Sequence, residues 1–285
     1  MKLTRQIVYA GGLCLLWCGL VAAQAAQPAP VKPPPLRVQV EARETAIDSN
    51  LPEDEATKAA LAPYVGKVRE LAQPIGKLTE DMQKFGMGGN TMGNFVTDAM
   101  RSRAAKVTGQ QVILAVTNAS GFRKNDLKAG IISTLDVYEL LPFDNALVSL
   151  DLTGEQLRRF LAVIVARRDA QSGARILYRA NEEKKNIIVS VRLGDYNNAA
   201  DINPTSIYTI VTIDYLVKRG GDFTVLQDGK NIKSLNLTLR DAVLDYIKAE
   251  TAAGREIRGT RDGRFRLDRS KSTTAPAGAE KDQPQ

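Results

Sequence analysis

The chain has 285 residues, with 39 Lys and Arg against 32 Asp and Glu, and it contains no histidine. Without imidazole ligands the chain alone cannot build a two-metal phosphoesterase site, and Ser-His-Asp and Cys-His catalytic arrangements are excluded. The net charge of +7 is spread along the sequence without a basic cluster among aromatics, which argues against nucleic-acid binding. A carboxylate-only magnesium site or an acid–base pair of carboxylates stays open, although no clustered acidic motif stands out.

The first 25 residues have the organisation of an export signal. Lys2 and Arg5 precede an apolar run from Ile7 to Val21, and Ala23-Gln24-Ala25 offers a small-residue cleavage site. The run is too short for a membrane-spanning helix. We therefore expect cleavage near Ala25 and a periplasmic or secreted protein with no stable membrane span, the alternative being an N-terminal anchor that stays attached.

The rest of the chain divides by composition. Cys14 and Cys18 both lie within the apolar run, so the exported protein is expected to fold without a disulfide. Residues 26–50 are predicted to be a proline-rich linker and residues 269–285 a disordered tail. Residues 51–268 are long enough for one domain with a sizeable core.

Helical periodicity and capping signals predict five helices along this domain. The first begins near Pro52 and runs to about Leu71, with apolar residues on one face. The second covers residues 92–106, with apolar side chains spaced for burial. Three later helices begin at hydroxyl caps that are each followed, three residues on, by an acid or amide: Ser133 with Asp136, Thr153 with Gln156, and Thr238 with Asp241.

Short apolar or alternating runs predict strands at residues 111–117, 146–152, 176–178, 187–193 and 207–214. We expect these strands to form one sheet. Helices and strands come in mixed order rather than in strict alternation, so the predicted fold class is α+β, a mixed β-sheet flanked by helices.

Four motifs follow one another in the middle of the chain. They are Asn118-Ala119-Ser120-Gly121-Phe122-Arg123, Gly130-Ile131-Ile132-Ser133, Leu141-Pro142-Phe143-Asp144-Asn145 and Leu152-Thr153-Gly154. In order, they read as a glycine turn at a strand end, a step into a capped helix, an aromatic on a proline turn, and a helix start. Such parts assemble a pocket for a flat polar ligand.

In this order and spacing the motifs resemble the C-terminal domain of the bacterial and animal 5'-nucleotidase family, and the similarity runs from about Val65 to about Arg266. In that family this domain binds the substrate, and hydrolysis belongs to a separate N-terminal metallophosphatase domain whose Asp, Asn and His residues hold two metals. These 285 residues include no such domain. The resemblance therefore implies a substrate-binding domain with no catalytic residue, metal or cofactor of its own.

The resemblance also implies which residues hold the ligand. Phe143 and Tyr215 would clamp a base between two aromatic rings, since stacking on one ring contributes about 1–3 kcal/mol. Asp222, in Gly220-Gly221-Asp222-Phe223, would accept the ribose hydroxyls. For Phe143 the alternative is a core aromatic on a proline turn.

The turn after the first buried strand would supply the remaining contacts. Asn118 would face the base edge with an amide that can donate and accept, with Ser120 and Gly121 completing the turn. Arg123 would reach substrate oxygens, because a guanidinium pairs bidentately with carboxylate or phosphate. The alternative for Arg123 is a structural ion pair with Asp126 or Asp144.

Two departures from the family pattern stand out. Residues 86–90, Gly-Met-Gly-Gly-Asn, replace an arginine-containing segment that helps the family to bind substrate, and the glycine turn that carries Asp222 lacks one glycine. We therefore expect the nucleoside part of the pocket to be better preserved than the phosphate part.

Three functions remain open. The first is an exported nucleoside- or nucleotide-binding module involved in nucleotide catabolism or salvage. The second is the detached half of a split 5'-nucleotidase that acts with a separate metallophosphatase chain. The third is a degenerate scaffold domain that has lost its ligand. A measured affinity for a nucleoside separates the first from the third.

Overall fold

The computed structural model of the chain describes residues 40–44, 48, 51–195 and 197–270. The chain divides between Asp54 and Glu55. Before that point the described residues form neither helix nor strand. The predicted export signal, most of the predicted linker and the predicted tail after Ser270 lie outside the described residues. No helix in the described ranges is long and apolar enough to cross a membrane.

The second unit, from Glu55 onward, contains seven α-helices among its described residues. They are α1 (Glu55–Leu71), α2 (Asn90–Thr108), α3 (Thr134–Leu140), α4 (Gly154–Arg167), α5 (Asp214–Arg219), α6 (Thr224–Gln227) and α7 (Leu239–Ala252). Complete capping boxes open α3 and α4, as predicted. At α7 the Thr238 hydroxyl accepts the Asp241 N–H at 3.0 Å, and the Asp241 carboxylate accepts from the same hydroxyl instead of from the backbone.

The strands are β1 (Pro74–Leu78), β2 (Met82–Gln83), β3 (Leu114–Thr117), β4 (Asp126–Leu127), β5 (Gly130–Ser133), β6 (Ala146–Thr153), β7 (Ala170–Ser172), β8 (Ala174–Ala180), β9 (Asn186–Leu193), β10 (Ala200–Asp201), β11 (Ile207–Ile213), β12 (Lys230–Thr238) and β13 (Phe265–Leu267). A five-stranded sheet has the order β12-β6-β11-β3-β7, and a four-stranded sheet has the order β10-β9-β8-β13. Two short pairs join β1 with β5 and β2 with β4, and an isolated bridge links Leu78 to Ile257. The α+β class with mixed sheets is confirmed.

The expectation that all strands form one sheet is wrong, and Gly173 explains why. The chain leaves the five-stranded sheet after Ser172 and enters the four-stranded sheet at Ala174, so the two sheets are joined by a single residue. Gly173 has φ 115°, and a Cβ there would collide with the carbonyl oxygen of Ile113. Only glycine fits this corner without strain.

The core lies between the five-stranded sheet and its helices. On α2 the predicted apolar face is buried, including Phe95, Val96 and Met100. On α4, Phe160 and Ile164 are buried in the same way. Because α2 contacts β3 and its neighbour β7, it supports the strand that leads to the motif at residues 118–123.

Helix α1 behaves differently from the other long helices. None of its residues is buried, and its large apolar side chains Leu61, Tyr64, Val65 and Val68 are exposed. The periodicity correctly predicts a helix with an apolar face. It does not predict burial, since that depends on whether another element lies close enough to cover the face.

Candidate functional site

The sheet topology brings the predicted site residues to one edge. Strands β3 and β11 are parallel neighbours, so both end at the same side of the five-stranded sheet. Strand β6 is antiparallel to β11, and β7 is antiparallel to β3, so both of these begin at that side. We call the side where β3 and β11 end and β6 and β7 begin the site edge. Residues far apart in sequence meet there.

Asn118 lies directly after β3 at the site edge. Its backbone carbonyl accepts the Gly121 N–H at 3.0 Å, which closes the turn, and its Nδ2 donates to the Ser120 hydroxyl at 2.9 Å. The side chain is only 6% exposed, yet its Oδ1 has no hydrogen-bond partner. A buried amide oxygen without a donor costs free energy, and a ligand donor would recover it.

The turn before β6 carries Phe143 to the same place. Asn118, Gly121, Phe143, Asn145 and other residues line one narrow pocket, whose interior of about 10 Å³ holds roughly one water molecule. Phe143 is 43% exposed at the mouth of this pocket. The structure thus brings together Asn118, Gly121 and Phe143, and it places Phe143 outside the core.

Arg123 lies against Phe143 instead of pairing with an acid. Its Cζ is 4.9 Å from the centre of the Phe143 ring, a cation–π distance. The expected alternative, an ion pair with Asp126 or Asp144, does not form, because Asp126 pairs with Lys128 and Asp144 with Arg240. The Arg123 guanidinium therefore remains available to an anionic group near the aromatic ring.

Tyr215 belongs to the first turn of α5, just after β11. The Asp214 carboxylate beside it accepts the Ala146 N–H at 3.0 Å, which ties α5 to the start of β6. Tyr215 is 44% exposed, and its hydroxyl accepts a hydrogen bond from Arg219 at 3.1 Å. It does not line the pocket of Asn118 and Phe143.

Asp222 follows two glycines with positive φ, Gly220 at 66° and Gly221 at 61°. Its exposed carboxylate lies 3.4 Å from the Arg167 guanidinium. Like Tyr215, Asp222 does not line the pocket of Asn118 and Phe143. The predicted site residues thus form two groups on one edge, with Asn118, Ser120, Gly121, Arg123 and Phe143 in the first and Tyr215 and Asp222 in the second.

Asp169, which is absent from the residues predicted from sequence, connects these two groups. It lies just before β7 at the site edge and is buried. One carboxylate oxygen accepts the Ala119 N–H at 3.2 Å, and the other lies 3.4 Å from Nε of Arg167, the arginine that pairs with Asp222. Burial raises the pKa of Asp169 to about 6, and the charge of Arg167 offsets this only in part. No local signal marks this residue, because its contacts depend on the pairing of β7 with β3.

The described residues hold no cluster of three or more His, Cys, Asp or Glu side chains suited to a metal ion. The site edge instead offers ring faces, an open amide oxygen, guanidinium groups and carboxylates. Such groups bind a planar polar molecule by stacking and hydrogen bonding.

The profile of the family described as 5'-nucleotidase, C-terminal domain, matches residues 74–228, more than half of the chain. A 5'-nucleotidase-related protein of Glossina morsitans morsitans is 26% identical over 71% of this chain and 40% of its own length. The structure of a 5'-nucleotidase precursor from Thermus thermophilus is 26% identical, with a TM-score of 0.64 over 76% of this chain and 44% of that one.

A third comparison supports the fold alone. The NAD nucleotidase of Haemophilus influenzae is 17% identical, with a TM-score of 0.57 over 75% of this chain and 41% of that chain. The present chain spans less than half the length of each of these three proteins. With the motifs, the sheet topology and the profile in agreement, the chain belongs to the 5'-nucleotidase C-terminal domain family.

Proposed function

We propose that the protein is an exported module that binds nucleosides or nucleotides and acts in nucleotide catabolism or salvage. The observation that carries the proposal is the buried, unpartnered Oδ1 of Asn118 in the same pocket as the exposed ring of Phe143. A nucleobase supplies both an N–H donor for that oxygen and a flat face for that ring. The relatives support this reading, since two of those compared are called 5'-nucleotidases or related to them.

The proposed role is binding without hydrolysis. The chain has no histidine, and its described residues hold no metal-binding cluster. We expect the purified protein to hydrolyse no nucleotide at any concentration of Mn²⁺ or Zn²⁺. Turnover that survives repurification and disappears when one of its own carboxylates is mutated contradicts this expectation.

A second candidate is a split 5'-nucleotidase, in which a separate metallophosphatase chain supplies the chemistry. The observation in its favour is length, because the matched relatives continue well beyond the part that this chain covers. If hydrolysis of a nucleotide appears only when the purified protein is mixed with such a chain, this second function is the correct one.

The deciding experiment is calorimetric titration with nucleosides and nucleotides, repeated with Phe143→Ala. Loss of one base–aromatic stack should weaken nucleoside binding by about 1–3 kcal/mol, while the fold survives because the ring is half exposed. Phe85→Ala is the matched control, since Phe85 is also exposed but does not line the pocket. Equal affinity in the Phe143→Ala protein and the parent contradicts the pocket, and no binding to any nucleoside or nucleotide favours a scaffold domain.

The proposed location is the periplasm or the extracellular medium. The N-terminal signal organisation supports it. Sequencing the N-terminus of the protein recovered from the soluble exported fraction is the test, with a start near Ala26 expected. Finding Met1 there contradicts cleavage.

A further inference from the structure

Arg240, the second residue of α7, hydrogen-bonds to the turn that carries Phe143. Its Nη1 donates to the carbonyl oxygen of Leu141 at 3.1 Å, and its Nη2 donates to the carboxylate of Asp144. These two contacts lie on either side of Pro142 and Phe143. One guanidinium therefore fixes both flanks of the segment that presents the aromatic ring.

Two neighbouring contacts add to these hydrogen bonds, one on the Arg240 guanidinium and one on the turn itself. The Tyr138 ring on α3 stacks on the guanidinium, with its centre 4.1 Å from Cζ of Arg240. The Leu239 N–H, at the start of α7, donates to the carbonyl oxygen of Asn145 at 2.9 Å. The start of α7 thus binds the turn of residues 141–145 at three points, and the pocket lining includes Leu239.

Stability alone does not account for this arrangement. Arg240 is 9% exposed, so its charge has lost most of its water. Its acidic partner Asp144 has a side chain that is 78% exposed, and an ion pair with such a partner adds little to the free energy of unfolding. The two hydrogen bonds instead fix the conformation of one turn, the turn that carries the half-exposed Phe143 side chain.

We propose that Arg240 is a positioning residue that holds Phe143 in place for stacking on a nucleobase. This inference rests on the proposed function. The Phe143 ring is 43% exposed, and the Arg123 guanidinium lies on its face. Removing the Arg240 contacts frees the Leu141 carbonyl and the Asp144 side chain on either side of Phe143, and the ring then samples positions that do not stack.

The first test needs no ligand and measures amide hydrogen exchange of the segment 141–145 by mass spectrometry. Arg240→Met should raise exchange there by about tenfold or more, the scale expected when coupled contacts are lost. Arg240→Lys keeps the charge and one donor and should lie between that variant and the parent. Arg255→Met is the control, since it removes an ion pair with Glu250 near the far end of α7, away from the turn of residues 141–145.

The second test is a double-mutant cycle with adenosine, measured at a temperature where every variant is folded. Arg240→Met should raise the Kd about tenfold in the parent and not further in the Phe143→Ala protein, since coupled residues are non-additive. Arg255→Met should change neither value. A purely structural Arg240 would give unchanged Kd values in the folded variants.

Each outcome decides the inference. Unchanged exchange at residues 141–145, or an effect on Kd that adds to that of Phe143→Ala, overturns it. If the parent binds no adenosine, the cycle is run with a nucleoside or nucleotide that the calorimetric titration shows to bind. If it binds none of them, the proposed function fails, and hydrogen exchange still decides whether Arg240 holds the turn. If Arg240→Met does not fold, the same two measurements on Arg240→Lys decide.

Discussion

Two polar regions lie at opposite ends of the β3–β7 pair, and they differ in how completely the polar side chain at the centre of each, Asn118 or Arg264, is hydrogen-bonded. At the site edge, Asn118 keeps an amide oxygen without a donor, and the rings of Phe143 and Tyr215 are about half exposed. At the other end, around Ser172, a cleft of about 310 Å³ is lined by acids and arginines, which we call the Arg264 cleft; its residues include Asp98, Arg101, Asp195, Tyr246, Asp262 and Arg264.

In the Arg264 cleft, the central guanidinium has an acceptor for every N–H. Nε donates to Asp262 at 3.0 Å, Nη1 to Asp98 at 2.9 Å and to the Gln171 carbonyl at 3.1 Å, and Nη2 to both carboxylates at 2.9 Å. Although burial opposes its charge, Asp98 and Asp262 raise the pKa of Arg264 above its usual range. A cleft can thus be large and polar because its charges hold the fold together. The open oxygen of Asn118 and the half-exposed aromatic rings, not volume, distinguish the site edge.

The largest expected effect tests the structural role of the Arg264 cleft. Arg264→Met leaves two partly buried carboxylates without their partner, and breaking a buried ion pair in this way costs about 3–5 kcal/mol of unfolding free energy. Urea denaturation should show that loss, with adenosine affinity unchanged in the folded protein. The control Arg258→Met, at an exposed pair with Glu80, should cost less than about 1 kcal/mol. Lost affinity with intact stability would move the ligand site to the Arg264 cleft.

The site edge contains one carboxyl group, Asp169, whose burial disfavours its charged form. The unfolded chain deprotonates Asp169 near its ordinary pKa of 3.8, whereas the folded protein keeps the proton until about pH 6. Stability from this group is therefore full at low pH and is lost as the pH rises through 6, by about 3 kcal/mol in total. The nearby positive charges of Arg167 and Arg219 reduce the shift without cancelling it.

Asp169→Asn should remove that pH dependence. Other carboxylates titrate alike in both proteins, so the unfolding free energy of the variant minus that of the parent should rise from near zero at pH 4 to about 3 kcal/mol at pH 7. Denaturant titrations at steps across this range provide the measurement. A flat difference would show that the Asp169 carboxyl has an ordinary pKa in the folded protein.

Local signals predicted much of the architecture. The caps at Ser133 and Thr153 predicted the first residues of α3 and α4 correctly, because a capping box depends on side chains only three positions apart. The buried face of α2 followed from periodicity in the same way. Motif order placed Asn118 and Phe143 in one pocket, where the structure also has them.

Contacts between distant residues could not be predicted. Asp169 meets Ala119 across 50 positions, and Arg240 meets Asp144 across 96. Neither pairing follows from local sequence, since each depends on which strands and helices become neighbours. The exposure of α1 and the separation into two large sheets also depend on which elements pack against one another in the tertiary structure.

Asn118 offers a smaller effect that separates stability from binding. Asn118→Ala removes a buried oxygen that has no donor and also the Nδ2 hydrogen bond to Ser120, so the two effects oppose each other and unfolding free energy should change little. Loss of the contact to the base should weaken nucleoside binding by about 1 kcal/mol. Asn94→Ala is the matched contrast, because the buried Asn94 side chain donates from Nδ2 to the Thr260 carbonyl at 2.6 Å. That variant should lose stability and keep its affinity. If Asn118→Ala instead loses stability and keeps its affinity, while Asn94→Ala loses affinity, then the Asn118 amide is not a ligand contact.

The smallest expected effect concerns a phosphate on the ligand. With residues 86–90 uncharged, the added phosphate should improve binding by less than about 1 kcal/mol, the range of an exposed ion pair, and should act through Arg123 beside Phe143. Arg123→Met should then make nucleoside and nucleotide bind alike, whereas Arg258→Met should leave their difference unchanged. Raising the salt should erase the preference in the parent, because charges separated by more than about 10 Å are screened at 0.1 M and exposed pairs weaken at any distance. A nucleotide that binds a hundredfold tighter than its nucleoside would require a second cation, and Arg167 and Arg219 at the Tyr215 and Asp222 end of the site edge would be the next residues to replace.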